Sequence, residues 1–119
     1  MTKRSCTILV VEDDQDIRET IETALEMEGY SVATAVNGQE ALNYLRISAK
    51  PNLVLLDMMM PIMGGREFLD ILLSDVVLAP IPVFILSAVA NDKNTQGAVG
   101  FIKKPADLDV ILKMVEKYC

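Results

Sequence analysis

Strand-like runs recur five times along this chain, and most of them are followed by a stretch with helical periodicity. Thr7-Ile8-Leu9-Val10-Val11 is a continuous β-rich run with no polar alternation, the pattern of a strand buried on both faces. Asp14 then opens a helix with Ile17, Ile21, Ala24 and Leu25 on one face and Gly29 at its end. Ser31 to Ala35 reads as a second strand, and Asn37-Gly38 opens a helix carrying Ala41, Leu42 and Leu45. Pro51 precedes a third strand over 52–56, and Gly64-Gly65 leads into a helix with Phe68, Leu69 and Leu72. Pro82 to Leu86 is a fourth apolar strand and Gly100-Phe101-Ile102 a short fifth. The segment from Pro105 to Asp107 begins the last helix, with Leu108, Ile111, Leu112 and Val115 inward and a second row of Val110, Met114 and Tyr118.

Strands separated by helices pair in parallel, and right-handed crossovers put helices on both faces of the sheet. The predicted architecture is therefore an α/β, flavodoxin-like doubly wound sheet of five parallel strands in the order 2-1-3-4-5. A length of 119 residues, 51% of them hydrophobic, suits one domain spanning 1–119. Apolar runs are short and broken by Pro, Asp or Glu, so no membrane span is expected. Met1-Thr2-Lys3-Arg4 is basic but leads directly towards a strand and does not read as a signal peptide.

Charge and residue usage remove several function classes. With 17 acids against 11 bases and a net charge of -6, the chain lacks the clustered cations that direct nucleic-acid binding needs. The absence of histidine excludes imidazole acid–base catalysis, histidine metal ligation and a phosphohistidine carrier. Cys6 and Cys119, far apart in sequence, suggest neither a disulfide framework nor a metal site; a reducing cytoplasm is the expected setting, with Cys119 a frayed terminal residue.

In a parallel sheet the C-terminal ends of all strands share one edge, and ligands bind there. The first strand ends in Glu12-Asp13-Asp14, the third in Asp57 and the fourth in Ser87, while Lys103-Lys104-Pro105 follows the fifth. Carboxylates, a hydroxyl and an ammonium thus converge on one edge. A carboxylate cluster without imidazole or thiolate suits a hard cation such as Mg²⁺. A lysine supplies a point charge for a phosphoryl group, and a serine a hydrogen bond to one of its oxygens. The set suits stabilisation of a transferring phosphoryl group onto a carboxylate nucleophile.

The segments Leu9-Val10-Val11-Glu12-Asp13-Asp14, Leu55-Leu56-Asp57-Met58-Met59-Met60-Pro61, Ile85-Leu86-Ser87-Ala88 and Gly100-Phe101-Ile102-Lys103-Lys104-Pro105 resemble the signature segments of response-regulator receiver domains, in order and over nearly the whole chain. The resemblance implies a phosphorylation-activated signalling switch that catalyses only its own phosphorylation and dephosphorylation. Asp57 would be the phosphoacceptor, charged by a sensor histidine kinase, a phosphotransfer protein or a small phosphodonor. Asp13 and Asp57 would ligate Mg²⁺, which Mn²⁺ can replace, with the Met59 backbone carbonyl and, through water, Glu12. Ser87 and Lys104 would contact the phosphoryl oxygens, and Ser87 with Phe101 would form the switch, read by a downstream protein or an attached output domain. The Lys104–Pro105 bond is expected to be cis. Met59 and Val89 take the positions that flank the path of the hydrolytic water; neither can orient a water, so slow dephosphorylation is implied, while small Ala88 leaves room for a donor.

Other readings attach to the neighbours of these residues. Asp14 reads as a helix cap and Lys103 as an outward-pointing neighbour of Lys104. Met58, Met59, Met60 and Met63 read as loop packing. Only Ala88 to Lys103 separates Ser87 from Lys104, so the fourth helix of the family pattern is shortened to a turn or two around 91–97. An aspartyl-phosphate phosphohydrolase is disfavoured because Met, not a carboxylate, stands at position 59. A receiver-like interaction module that needs no phosphorylation is the remaining alternative, and failure to bind Mg²⁺ would favour it.

Overall fold

The computed structural model describes residues 5–119; the basic stretch Met1–Arg4, read above as no signal peptide, lies outside the described residues. The strands are β1 (Thr7–Val11), β2 (Ser31–Ala35), β3 (Leu53–Leu56), β4 (Val83–Ser87) and β5 (Gly100–Lys103). The helices are α1 (Gln15–Met27), α2 (Gly38–Ile47), α3 (Gly65–Ser74) and α4 (Leu108–Glu116). All strand pairs are parallel, in the order β2-β1-β3-β4-β5, which is the expected doubly wound topology.

Strand alternation divides the core into two layers. Leu9 and Val11, Val54 and Leu56, and Val83 and Ile85 face α2 and α3, where they meet Leu42, Leu45, Phe68, Leu69 and Leu72. The intervening Ile8 and Val10, Leu53 and Leu55, and Phe84 and Leu86 face α1 and α4, against Ile21, Leu25, Ile111 and Val115. Both faces of β1, β3 and β4 are therefore covered, which is why these segments are uninterrupted apolar runs. Two helix starts are fixed by the side chains that the sequence marked: Asp14 accepts from the Ile17 amide at 3.1 Å and Asn37 from the Glu40 amide at 2.8 Å.

Helix α4 is rotated from its expected phase. Ile111, Met114 and Val115 are buried, Leu108 and Leu112 are half-buried, and Val110 is exposed. Met114 thus belongs to the inner face rather than to an outer second row. The β4–β5 connection holds hydrogen-bonded turns and no α-helix. The Asn91 side chain accepts from the Lys93 and Asn94 amides, and the Asn94 side chain accepts from the Asn91 amide and donates to the Val89 carbonyl. Local side-chain bonds do here what an apolar helical stripe does elsewhere.

The cysteines correct the sequence reading. Cys6 and Cys119, expected to be unpaired, are joined as a disulfide with Cα atoms 5.7 Å apart, and Cys119 packs on the core instead of fraying. Crossover helices run antiparallel to their strands, so the last helix ends at the sheet edge where the first strand begins. Sequence distance concealed that proximity.

Candidate functional site

The C-terminal edge of the sheet gathers the polar residues. Glu12 follows β1 and is buried, Asp13 beside it is exposed, and Asp57 follows β3 with 8% exposure. One carboxylate oxygen from each of the three lies within 4.8 Å of the others. Backbone bonds fix two of these positions: the Glu12 amide donates to the Ala35 carbonyl and the Asp57 amide to the Val11 carbonyl, each at 3.0 Å. The Asp57 carboxylate therefore stands on a continuation of the β1–β3 ladder, not on a free loop.

Lys104 reaches the cluster from the far side of the sheet. Its Nζ donates to Glu12 Oε1 and lies 3.5 Å from Asp57 Oδ2. The backbone that carries it is tied to β4, because the Lys104 amide donates to the Ser87 carbonyl at 3.1 Å, and the Lys104–Pro105 peptide is cis. Lys103, its neighbour, is exposed as strand alternation requires. Burial drives the Glu12 carboxyl up to about 7 from its ordinary 4.5. The Asp57 charge adds to that rise, while the Lys104 ammonium and the Asp14 amide oppose it. Crowding of anions is thus only partly relieved by the single lysine, and an all-oxygen, net-negative cluster of this kind is the donor set that a hard divalent cation takes.

The other anticipated residues sit on β4, on β5 and in the loops after β3 and β4. Ser87 ends β4 almost fully buried, and its Oγ accepts from the Val89 amide at 3.5 Å. Phe101 lies half-buried on β5 opposite Ile85, on the face shared with α2 and α3. The Met59 amide donates to Asp57 Oδ1 at 3.4 Å, which sets its backbone beside that carboxylate, while its side chain is 66% exposed. Val89 is also exposed, whereas Met58, Met60 and Met63 pack on the core as loop residues. Ile62 in the same loop holds φ at 69°, a region costly to a β-branched residue.

Two arginines that the sequence reading left aside clasp backbone carbonyls, one at the site and one in the β4–β5 turns. Arg18 on α1 donates from Nη1 to the Glu12 carbonyl at 3.0 Å and the Asp13 carbonyl at 3.4 Å. Arg66 on α3 donates to the Asn94 and Gln96 carbonyls at 3.2 and 2.9 Å and pairs with Asp70. Arg18, four positions beyond the Asp14 cap, could have been noticed; the carbonyl partners of Arg66 have no sequence signal. Between α1 and α4 an apolar groove of about 490 Å³, lined by Ile17, Ile21, Leu86, Leu108 and Ile111, runs to Lys104 and Pro105.

The family profile described as "Response regulator receiver domain" matches residues 8–116. The chain belongs to the response regulator receiver family. Among curated proteins this receiver is 39% identical over 104 residues to the phosphate regulon transcriptional regulatory protein PhoB of Pseudomonas aeruginosa, covering 83% of this chain and 45% of that protein. It is 44% identical over 85 residues to the transcriptional regulatory protein CpxR homolog of Haemophilus influenzae, covering 71% of this chain and 35% of the relative. The receiver thus spans less than half the length of these two regulators. Its fold matches the chemotaxis response regulator CheY4 of Vibrio cholerae with a TM-score of 0.87 at 27% identity, covering 96% and 98% of the two chains. A receiver domain of a signal transduction histidine kinase from Syntrophus aciditrophicus matches with a TM-score of 0.86 at 29% identity, covering 96% and 89%. Among the described residues no helix is long and apolar enough to cross a membrane.

Proposed function

We propose that this receiver is a phosphorylation-driven signalling switch in which Asp57 takes up the phosphoryl group. The observation that carries the reading is the convergence of Lys104 Nζ on Glu12 and Asp57 at the head of a three-carboxylate cluster. An Asp57 carboxylate oxygen attacks phosphorus, the bond from phosphorus to the donor atom breaks, and the donor leaves with that electron pair. Lys104, already 3.5 Å from Asp57, turns its charge from the carboxylates to the incoming phosphoryl oxygens, and the buried Ser87 hydroxyl donates to another. Asp13, Asp57 and the Met59 backbone carbonyl, with Glu12 through water, would hold Mg²⁺ or Mn²⁺, which supplies charge neutralisation for the transferring group. The solved structure of the Mn(2+)-bound response regulator Rcp1, with a TM-score of 0.78 and 26% identity, supports that ion class by analogy.

The donor in this reading is a histidine kinase or phosphotransfer protein, seated along the α1–α4 groove that ends at Lys104. Ser87 and Phe101, on adjacent strands, relay the modified state to the surface, where a downstream protein or an attached output domain reads it. The setting in this reading is cytoplasmic, and residues 1–119 act as one receiver domain without direct contact to nucleic acid. Incubation with Mg²⁺ and acetyl phosphate, followed by intact-mass analysis, tests the assignment. One phosphoryl group is expected on the wild type and none on Asp57→Asn. Undiminished labelling of Asp57→Asn, or no labelling of either protein, overturns it.

A further inference from the structure

Cys6 directly precedes β1, the middle of the three strands that begin the sheet order, and Cys119 follows α4. They are 113 positions apart, yet their Cα atoms are 5.7 Å apart. That separation falls within the range that a disulfide spans without backbone movement, about 4.4–6.8 Å. Cys6 is fully buried and Cys119 half-buried, in a cluster with Leu25, Tyr30, Val115 and Tyr118. This place is at the edge where the strands begin, remote from the carboxylate cluster at the edge where they end.

We propose that Cys6 and Cys119 form a reversible thiol–disulfide modification site that fastens helix α4 to the start of β1. The oxidant is a small disulfide of the glutathione class, and the reductant is the corresponding thiol. The Cys119 thiolate, the one that solvent reaches, attacks one sulfur of the oxidant and expels its other half as a thiolate, which takes up a proton. The Cys6 thiolate then attacks Cys119 sulfur in the mixed disulfide and expels the second half. The protein gives up two electrons and two protons, and the oxidant becomes two thiols. Reduction runs the same steps backwards and begins at Cys119 sulfur, with Cys6 as the leaving thiolate.

The fastening acts on an element that needs it. Helix α4 has nine residues, below the length at which a helix holds itself in water. Its hold on the sheet comes from one face, Ile111, Met114 and Val115. The covalent link also closes a loop of more than a hundred residues, the class for which restriction of the unfolded chain is largest. Opening it loosens the end of α4, and Leu108 and Ile111 on the same helix wall the groove that leads to Lys104. Only this last consequence, a redox-dependent partner groove, rests on the reading of the groove as a docking surface; the thiol chemistry stands apart from it.

The test equilibrates the full chain with reduced or oxidised glutathione, alkylates free thiols and weighs the intact protein. Melting and hydrogen exchange are then followed in parallel. Oxidised protein is expected to carry no alkyl group and reduced protein two. Reduction should lower the melting temperature by on the order of 10 °C and speed exchange of the α4 amides about tenfold, without comparable change in β1 or β3. Cys119→Ser, at the half-exposed position, should fold and behave like the reduced wild type under both conditions. Asp57→Asn should keep the full redox response, so a failure of the phosphoryl reading remains separate from a failure of this one. Two alkylated thiols after oxidising equilibration, or an identical melt and α4 exchange in the two states, overturns the proposal.

Discussion

Helix α3 is moored to the end of β3 so closely that a single methyl group should disturb the proposed phosphoryl chemistry at Asp57. The Gly65 amide donates to the Met58 carbonyl at 2.9 Å, which brings the first turn of α3 against the chain that follows Asp57. A Cβ placed on Gly65 would lie 2.4 Å from the Asp57 carbonyl oxygen and 2.8 Å from Met58 Cα, both backbone atoms. Real Cβ contacts stay beyond 3.0 Å, so either α3 or the Asp57–Met58 backbone must retreat. Retreat of α3 would unseat Phe68, Leu69 and Leu72, each 0% exposed. Overpacking of this kind costs about 2 kcal/mol. The helix-propensity gain from Gly to Ala returns at most about 1 kcal/mol, so destabilisation wins. The alternative, displacement of Asp57, misplaces the proposed nucleophile. Gly65→Ala is therefore expected to melt about 5 °C lower and to take phosphoryl from acetyl phosphate at least about tenfold more slowly. Gly64→Ala is the control, since its Cβ would meet only the Met58 and Met60 carbonyls at 3.1 and 3.9 Å. It should stay within about 1 kcal/mol of the wild type and label normally. Thermal melts and initial labelling rates decide the matter. A Gly65→Ala protein with wild-type melting and labelling, or two variants that behave alike, would refute the reasoning.

Three further outcomes follow from the geometry. The Glu12 carboxyl binds its proton more tightly folded, at about 7, than unfolded, at 4.5. In metal-free protein the associated stability, about 3 kcal/mol, is fully present below pH 4.5 and lost as pH rises through 7; urea midpoints should fall over that window, and Mg²⁺ or Glu12→Gln should flatten the fall. Midpoints that climb with pH in the wild type relative to Glu12→Gln would contradict the assignment. Under the proposed function, Met59→Asn or Met59→Glu should speed loss of phosphate about tenfold, about 1.4 kcal/mol in barrier; phosphate loss within seconds in the wild type, or no acceleration in either variant, would count against the role of Met59. Arg66→Ala removes two hydrogen bonds to the 94–96 backbone and should cost about 1–2 kcal/mol while raising amide exchange over 91–97; unaltered exchange there would mean that the turns hold themselves.

Much of this fold is legible because physics writes it locally. A strand covered on both faces has no solvent side to alternate with, so β1, β3 and β4 stand out as apolar runs. Asp14 and Asn37 betray helix starts because the amides they satisfy lie three residues on. The site was legible for a different reason: in a parallel sheet the topology itself collects the residues at strand ends. What escaped needed distances that no local pattern carries. Cys6 and Cys119 are 113 positions apart and lie at no shared strand end. The phase of α4 escaped as well. A stripe of Leu, Ile, Val and Met fits several rotations equally well, and it is Met114 instead of Leu112 that is buried with Ile111 and Val115.

The turns between β4 and β5 bear on the recombination of regulators of this kind. A helix in that place is specified by its packing against the sheet, so grafting it carries its whole buried face along. Here the segment from Asn91 to Gln96 is shaped by Asn91, Asn94 and Thr95 on their own backbone, with Arg66 as the described side-chain clasp from outside it. Asn94 also ties it back to the Val89 carbonyl, and Thr95 is buried. Transplanted with an arginine on the facing helix, the segment is expected to keep its shape in another member of the family, and a host's longer connection inserted here would leave the strands on either side in register.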